Sequence, residues 1–83
     1  MHKLIYSLDH VGEYDTFEEA FVELFKRLTK DIKKGTSWQM VETSIWIESP
    51  DRELPMLFYE ARDRACDLGI LIDGKLNPEY EKV

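Results

Sequence analysis

Residues able to do chemistry are concentrated in Asp9-His10-Val11-Gly12-Glu13-Tyr14-Asp15, which holds three carboxylates and a histidine within seven positions. Such a set invites a metal reading, but the acids do not fall on the 1, 3, 5 ladder with a closing Glu that calcium loops use. Zinc wants three or four His, Cys or carboxylate ligands in a tetrahedron, and His2 and His10 are the only histidines. The simpler account is a polar surface loop whose side chains bond their own backbone. Nucleophilic catalysis needs an activated hydroxyl in a sharp turn facing an oxyanion site. Ser7, Ser37, Ser44 and Ser49 stand in no such context, and the four glycines are too dispersed to cradle a phosphate. Cys66 is the single cysteine, with Asp63 and Asp67 opposing Arg62 and Arg64 around it. An unactivated, half-buried thiol is expected there. No catalytic, cofactor or metal residue is therefore assigned, and no enzyme is expected.

One set remains. If residues 38–47 form a strand, Trp38, Met40 and Trp46 share one parity while Val41, Ile45 and Ile47 share the other. With the β-branched residues turned toward helices, two tryptophans and a methionine occupy the open face of a sheet. Exposed apolar patches of that kind mark partner surfaces. Trp38, Met40 and Trp46 are thus the candidate interaction surface.

The elements that must position these residues are led by a helix beginning at Thr16. Thr16-Phe17-Glu18-Glu19 has the form of a capping box. Phe17, Ala20, Phe21, Leu24, Phe25, Leu28 and Ile32 follow at three- and four-residue steps, forming one apolar stripe. Acids at its start and lysines at its end suit the helix dipole, and Gly35 is its expected stop. Residues 3–8 alternate as a strand, residues 9–15 read as a loop, and Ser49-Pro50-Asp51 closes the second strand. A second helix is expected to carry Pro55 in its first turn, with Leu57, Phe58, Ala61, Ala65 and Leu68 on its buried face. Glu60 and Arg64 are spaced to pair along it, and Gly69 is its stop. Asp73-Gly74 between apolar residues signals a tight turn in a short strand or hairpin.

The resulting expectation is an α+β fold, a two-layer sandwich in β-α-β-α-β order with two helices packed on one face of a small sheet. At 83 residues the chain has material for one domain, with an ordered core over 3–78 and frayed residues 79–83. One cysteine fits a reducing cytoplasm, and there is no apolar run long enough for a membrane span. A net charge of −6 disfavours nucleic acid and anionic membranes. The basic cluster Lys26, Arg27, Lys30, Lys33 and Lys34 reads as a solvated helix face. The functional expectation is a non-enzymatic protein-protein interaction or small regulatory domain, binding a protein partner or a second copy of itself. Two alternatives stand beside it. One is an acidic DNA-mimic or inhibitor using Glu13, Asp15, Glu18, Glu19, Glu23, Asp63 and Asp67. The other is a metal-binding or enzymatic role for the 9–15 loop.

Overall fold

The computed structural model describes residues 1–81. Its elements are β1 (His2–Tyr6), β2 (Asp9–Tyr14), α1 (Phe17–Lys33), α2 (Trp38–Ser44), β3 (Trp46–Glu48), β4 (Met56–Leu57), α3 (Phe58–Asp67), β5 (Leu71–Ile72) and β6 (Lys75–Leu76), followed by a 3-10 turn at Pro78–Tyr80. The fold is α+β, with three helices and an antiparallel four-stranded sheet in the order β2-β1-β3-β4. β5 and β6 form a separate two-stranded hairpin. This chain order adds β2, α2 and β4 to the expected β-α-β-α-β, and two of these additions recast whole segments.

The first is the expected 9–15 loop, most of which is strand β2. It pairs with β1 from His2 opposite Tyr14 to Tyr6 opposite Asp9, with an irregularity between Leu4 and Ile5. Ser7 and Leu8 link the two strands in a two-residue turn with φ of 55° and 67°. Positive φ at both central positions matches the right-handed twist of a hairpin. The polar composition of β2 is tolerated because it lies at the sheet edge, where charged side chains also discourage edge-to-edge pairing.

The second is the segment expected as one strand over residues 38–47. Trp38–Ser44 is helical and only Trp46–Glu48 is strand. Ser37 caps the helix, accepting a hydrogen bond from the Gln39 N–H at 3.1 Å. The Thr43 hydroxyl donates back to the Gln39 carbonyl at 2.8 Å, and the Ser44 hydroxyl to that of Met40. Val41 and Ile45 are both fully buried. A separation of four residues keeps two side chains on one side of either a helix or a strand, so their pattern supports both readings.

α1 follows its expectation closely. Thr16 Oγ1 accepts from the Glu19 N–H at 3.2 Å, and its hydroxyl lies 3.3 Å from Glu19 Oε1. Phe17, Ala20, Phe21, Leu24 and Leu28 are buried, while Phe25 and Ile32 flank the core half-buried. The helix ends in a Schellman arrangement: Thr36 N–H reaches the Asp31 carbonyl at 3.0 Å and Gly35 N–H that of Ile32 at 3.0 Å. Gly35 carries φ +96°, a conformation that side chains with a Cβ resist. α3 ends the same way at Gly69, with Ile70 N–H on the Ala65 carbonyl at 2.9 Å.

Four details around α3 correct the sequence reading. It begins at Phe58, so Pro55 precedes it, and Leu57 supplies no side-chain cap. Phe58, Ala61 and Ala65 are buried, but Leu57 and Leu68 are about half exposed. Glu60 pairs with Arg52 instead of Arg64. Arg64 instead places its guanidinium 4.8 Å from the centre of the Phe17 ring. Cys66 is exposed rather than half-buried, because it lies off the Phe58–Ala61–Ala65 face.

The Asp73-Gly74 turn forms as its residues imply, joining β5 to β6, with φ of 53° and 75°. Tyr80 of the 3-10 turn packs half-buried on the core. Of the end expected to fray, residues 82 and 83 lie outside the described residues. The core gathers Leu4 and Tyr6 of β1, the α1 stripe, Val41, Ile45, Ile47, Met56, Phe58 and the Ile70–Leu76 hairpin. Among the described residues no helix is long and apolar enough to cross a membrane.

Candidate functional site

The three residues of the expected surface are placed on different elements. Trp46 lies on β3, half-buried, and its Nε1–H donates to Glu48 Oε2 at 3.1 Å. The register sets Ile5, Trp46 and Leu57 in one cross-strand row. The adjacent row, Leu4, Ile47 and Met56, is fully buried. Successive residues alternate faces, so Trp46 faces away from the core. Met40 is on α2 and half-buried against the core. Trp38 opens α2 and is 51% exposed. Its ring centre lies 6.1 Å from that of Phe58, a buried core residue. Trp38 and Met40 therefore do not join Trp46 on the sheet, because their segment is helical.

Around Trp38 the chain forms a groove of about 400 Å³. Phe25, Leu28 and Ile32 of α1 line one side, Trp38 and Phe58 another, and Gly74 of the β5–β6 turn the end. A neighbouring depression of about 470 Å³ shares Phe25, Thr29 and Gly74 with it and extends to Leu76. The two make one apolar channel along the flank of α1. Its rim is cationic: Lys33 and Arg62 at one part, Lys26 and Lys75 at the other, with Glu81 the one acid among the described lining residues. The Arg62 guanidinium also stands 5.9 Å from the Phe58 ring centre and 5.1 Å from that of Tyr59, a cation–π position. Within 4.0 Å no lysine of the described residues meets a carboxylate; the ion pairs there are Arg27–Glu23, Arg52–Glu60 and Arg62–Asp63.

Local sequence explains the channel. Phe25 and Ile32 stand seven residues apart at the border of the α1 stripe, and Lys26 and Lys33 repeat beside them at the same interval. Seven residues are close to two helical turns, so the two pairs run as parallel lines, one apolar and one charged. Gly35 then stops α1 and Ser37 starts α2, which brings Trp38 back alongside. The pattern at Phe25 and Ile32 was readable, but it looked like core because nothing in the sequence shows that the stripe is wider than the sheet can cover.

Other sequence candidates fare as follows. His10 is exposed and stands opposite Ile5 on β2. Among the described residues no three His, Cys, Asp or Glu side chains gather in a way that could hold a metal ion. Glu18 and Glu19 sit in the first turn of α1, where the dipole favours them. Lys26, with Arg27, Lys30 and Lys34 of the basic cluster, also borders a hollow of about 430 Å³ with Tyr6, Glu23 and Asp31. There Glu23 pairs with Arg27 at 2.6 Å, and Asp31 accepts from the Tyr6 hydroxyl at 2.6 Å. Burial, then this hydrogen bond, raise the Tyr6 phenol well above its ordinary pKa.

No family model matches the chain, and no curated protein or solved structure matches it either. The functional reading rests on the site alone.

Proposed function

We propose that this protein is a non-enzymatic protein-interaction domain that receives a partner protein in the channel beside Trp38. The observation that carries this reading is a tryptophan 51% exposed yet held against Phe58 at the mouth of an apolar groove. Tryptophan is the residue type most often found carrying interface energy, since it presents a large rigid surface at small entropic cost. The reading treats α1 and α3 as a single layer behind the sheet. In support, α1 touches β1 and β2, α3 touches β3 and β4, and the two helices touch each other. That arrangement leaves the α1 flank open at the channel.

A second reading has its own observation. The Ile5–Trp46–Leu57 row offers an apolar strip on the outward sheet face, on which a second copy could pack. Photo-crosslinking separates the two. Benzoylphenylalanine replaces Trp38 in one variant and Trp46 in another, each expressed in the cells that naturally make the protein. The channel reading expects a discrete heterologous adduct from position 38. No adduct from position 38 overturns it. An adduct from position 46 at twice the monomer mass supports self-association through the sheet.

A further inference from the structure

The channel's rim carries information about what it receives. The chain holds 17 acidic and 11 basic residues, yet Lys26, Lys33, Arg62 and Lys75 converge on one apolar groove with a single acid, Glu81, among its described lining residues. The α1 dipole accounts for Lys33, which lies in the last turn. It does not account for Lys75, on β6, nor for Arg62, on α3. None of the three lysines has an acidic partner within 4.0 Å among the described residues. Three separate elements thus deliver cations to the edge of the same apolar surface.

Resting on the channel reading above, we infer that the occupant is an acidic, amphipathic segment of a partner protein. Its apolar side chains enter between Phe25, Ile32 and Trp38, and its carboxylates meet Lys26, Lys33, Arg62 and Lys75. From Phe25 to Lys33 the α1 axis advances about 12 Å, room for about two turns of helix or four extended residues. A segment of that size is a docking motif. The chain's net charge of −6 repels an anionic bilayer, while a short peptide can lie within the local field of the rim. Complementary charge of this kind sets register and partner choice more than raw affinity.

The test is selection from a random linear peptide library on the immobilised full chain, with phosphatidylglycerol vesicles as a parallel arm. The expected result is enrichment of peptides that combine aromatic or aliphatic residues with Asp and Glu. Their binding should weaken about tenfold or more in Lys33→Glu/Lys75→Glu and in Trp38→Ser, and should fall as salt is raised. Circular dichroism checks that both variants are folded; the lysines are exposed, so the charge variant stands as the readout if Trp38→Ser is destabilised. Enriched peptides that need Trp38 but are neutral or basic overturn the acidic inference and leave the channel reading intact. Binders indifferent to Trp38 and to both lysines, or no enrichment at all, overturn both. Vesicle binding that requires these residues, without peptide enrichment, overturns the inference in favour of an anionic lipid.

Discussion

At the residue scale, the most consequential polar contact joins Tyr6 to Asp31. The phenol is buried, 6% exposed, and donates to Asp31 Oδ2 at 2.6 Å, tying β1 to the end of α1. A hydrogen bond to a charged acceptor contributes about 1.5–3 kcal/mol, so Tyr6→Phe is expected to lower stability by an amount near the bottom of that range, measured by urea titration. The raised phenol pKa also sets a pH dependence. The folded state favours the neutral phenol, so its contribution is complete below the unfolded value of about 10 and declines as pH rises above it. Stability of the native chain should therefore fall with pH above about 10, and fall less steeply in Tyr6→Phe. A residual slope is expected, because Tyr14 and Tyr59 are raised as well, through burial and through the bond to Glu42 respectively. The same scale contains Thr16: removing its hydroxyl in Thr16→Ala leaves the Glu19 N–H without its cap and should cost about 1 kcal/mol. An unchanged urea midpoint would show that water replaces the cap without loss.

At the element scale, the β1–β2 turn stands out. Ser7 and Leu8 both adopt positive φ, and Leu8 is 69% exposed. A left-handed residue with a Cβ costs about 1–2 kcal/mol. What offsets it is the ladder from His2 to Tyr14, and the Leu8 N–H that reaches the Ser44 carbonyl at 3.0 Å. Asn-Gly is the dipeptide this turn prefers. Ser7→Asn/Leu8→Gly should therefore raise stability by about 0.5–1 kcal/mol, read from the thermal midpoint; a lowered midpoint would mean that the Leu8 side chain holds the turn. The absence of that dipeptide is also why β2 was not legible as a strand. The other hairpin, with Asp73-Gly74 at its tip, was. α2 shows a different kind of illegibility. Residues 38–47 carry Trp38, Val41, Thr43, Ile45, Trp46 and Ile47, a richness in aromatic and β-branched residues that favours a strand locally. The Ser37 cap and the need to turn back after α1 favour a helix, and tertiary context prevailed over propensity.

At the scale of the whole molecule, a chain of 83 residues has a small margin. Domains of this length are stable by about 4–12 kcal/mol in total. Phe21 is fully buried, with the rings of Phe17 and Phe25 each 5.9 Å away. Phe21→Ala should cost about 3–5 kcal/mol, a large share of that margin, and appear as a strongly reduced urea midpoint. A shift below 1 kcal/mol would indicate that the core collapses into the space. The sequence by itself determined α1 with its cap, stripe and stop, the end of α3 at Gly69, and the Asp73-Gly74 hairpin. These depend on interactions within a few residues, where the side-chain types already name the geometry. It left open which parity of residues 38–47 enters the core; Val41 and Ile45, four residues apart, share a side in either conformation, and the fold buries both together with Ile47. Only the tertiary structure decided that residues 9–14 pair with β1, that Trp38 belongs to a helix, and that Trp38 and Trp46 part company. Those outcomes depend on partners distant in the chain: β1 supplies the hydrogen bonds that polar β2 lacks alone, and Phe58 supplies the surface on which Trp38 rests. The cationic rim belongs to the same class, for Lys33, Arg62 and Lys75 come to the edge of one channel only when three elements meet.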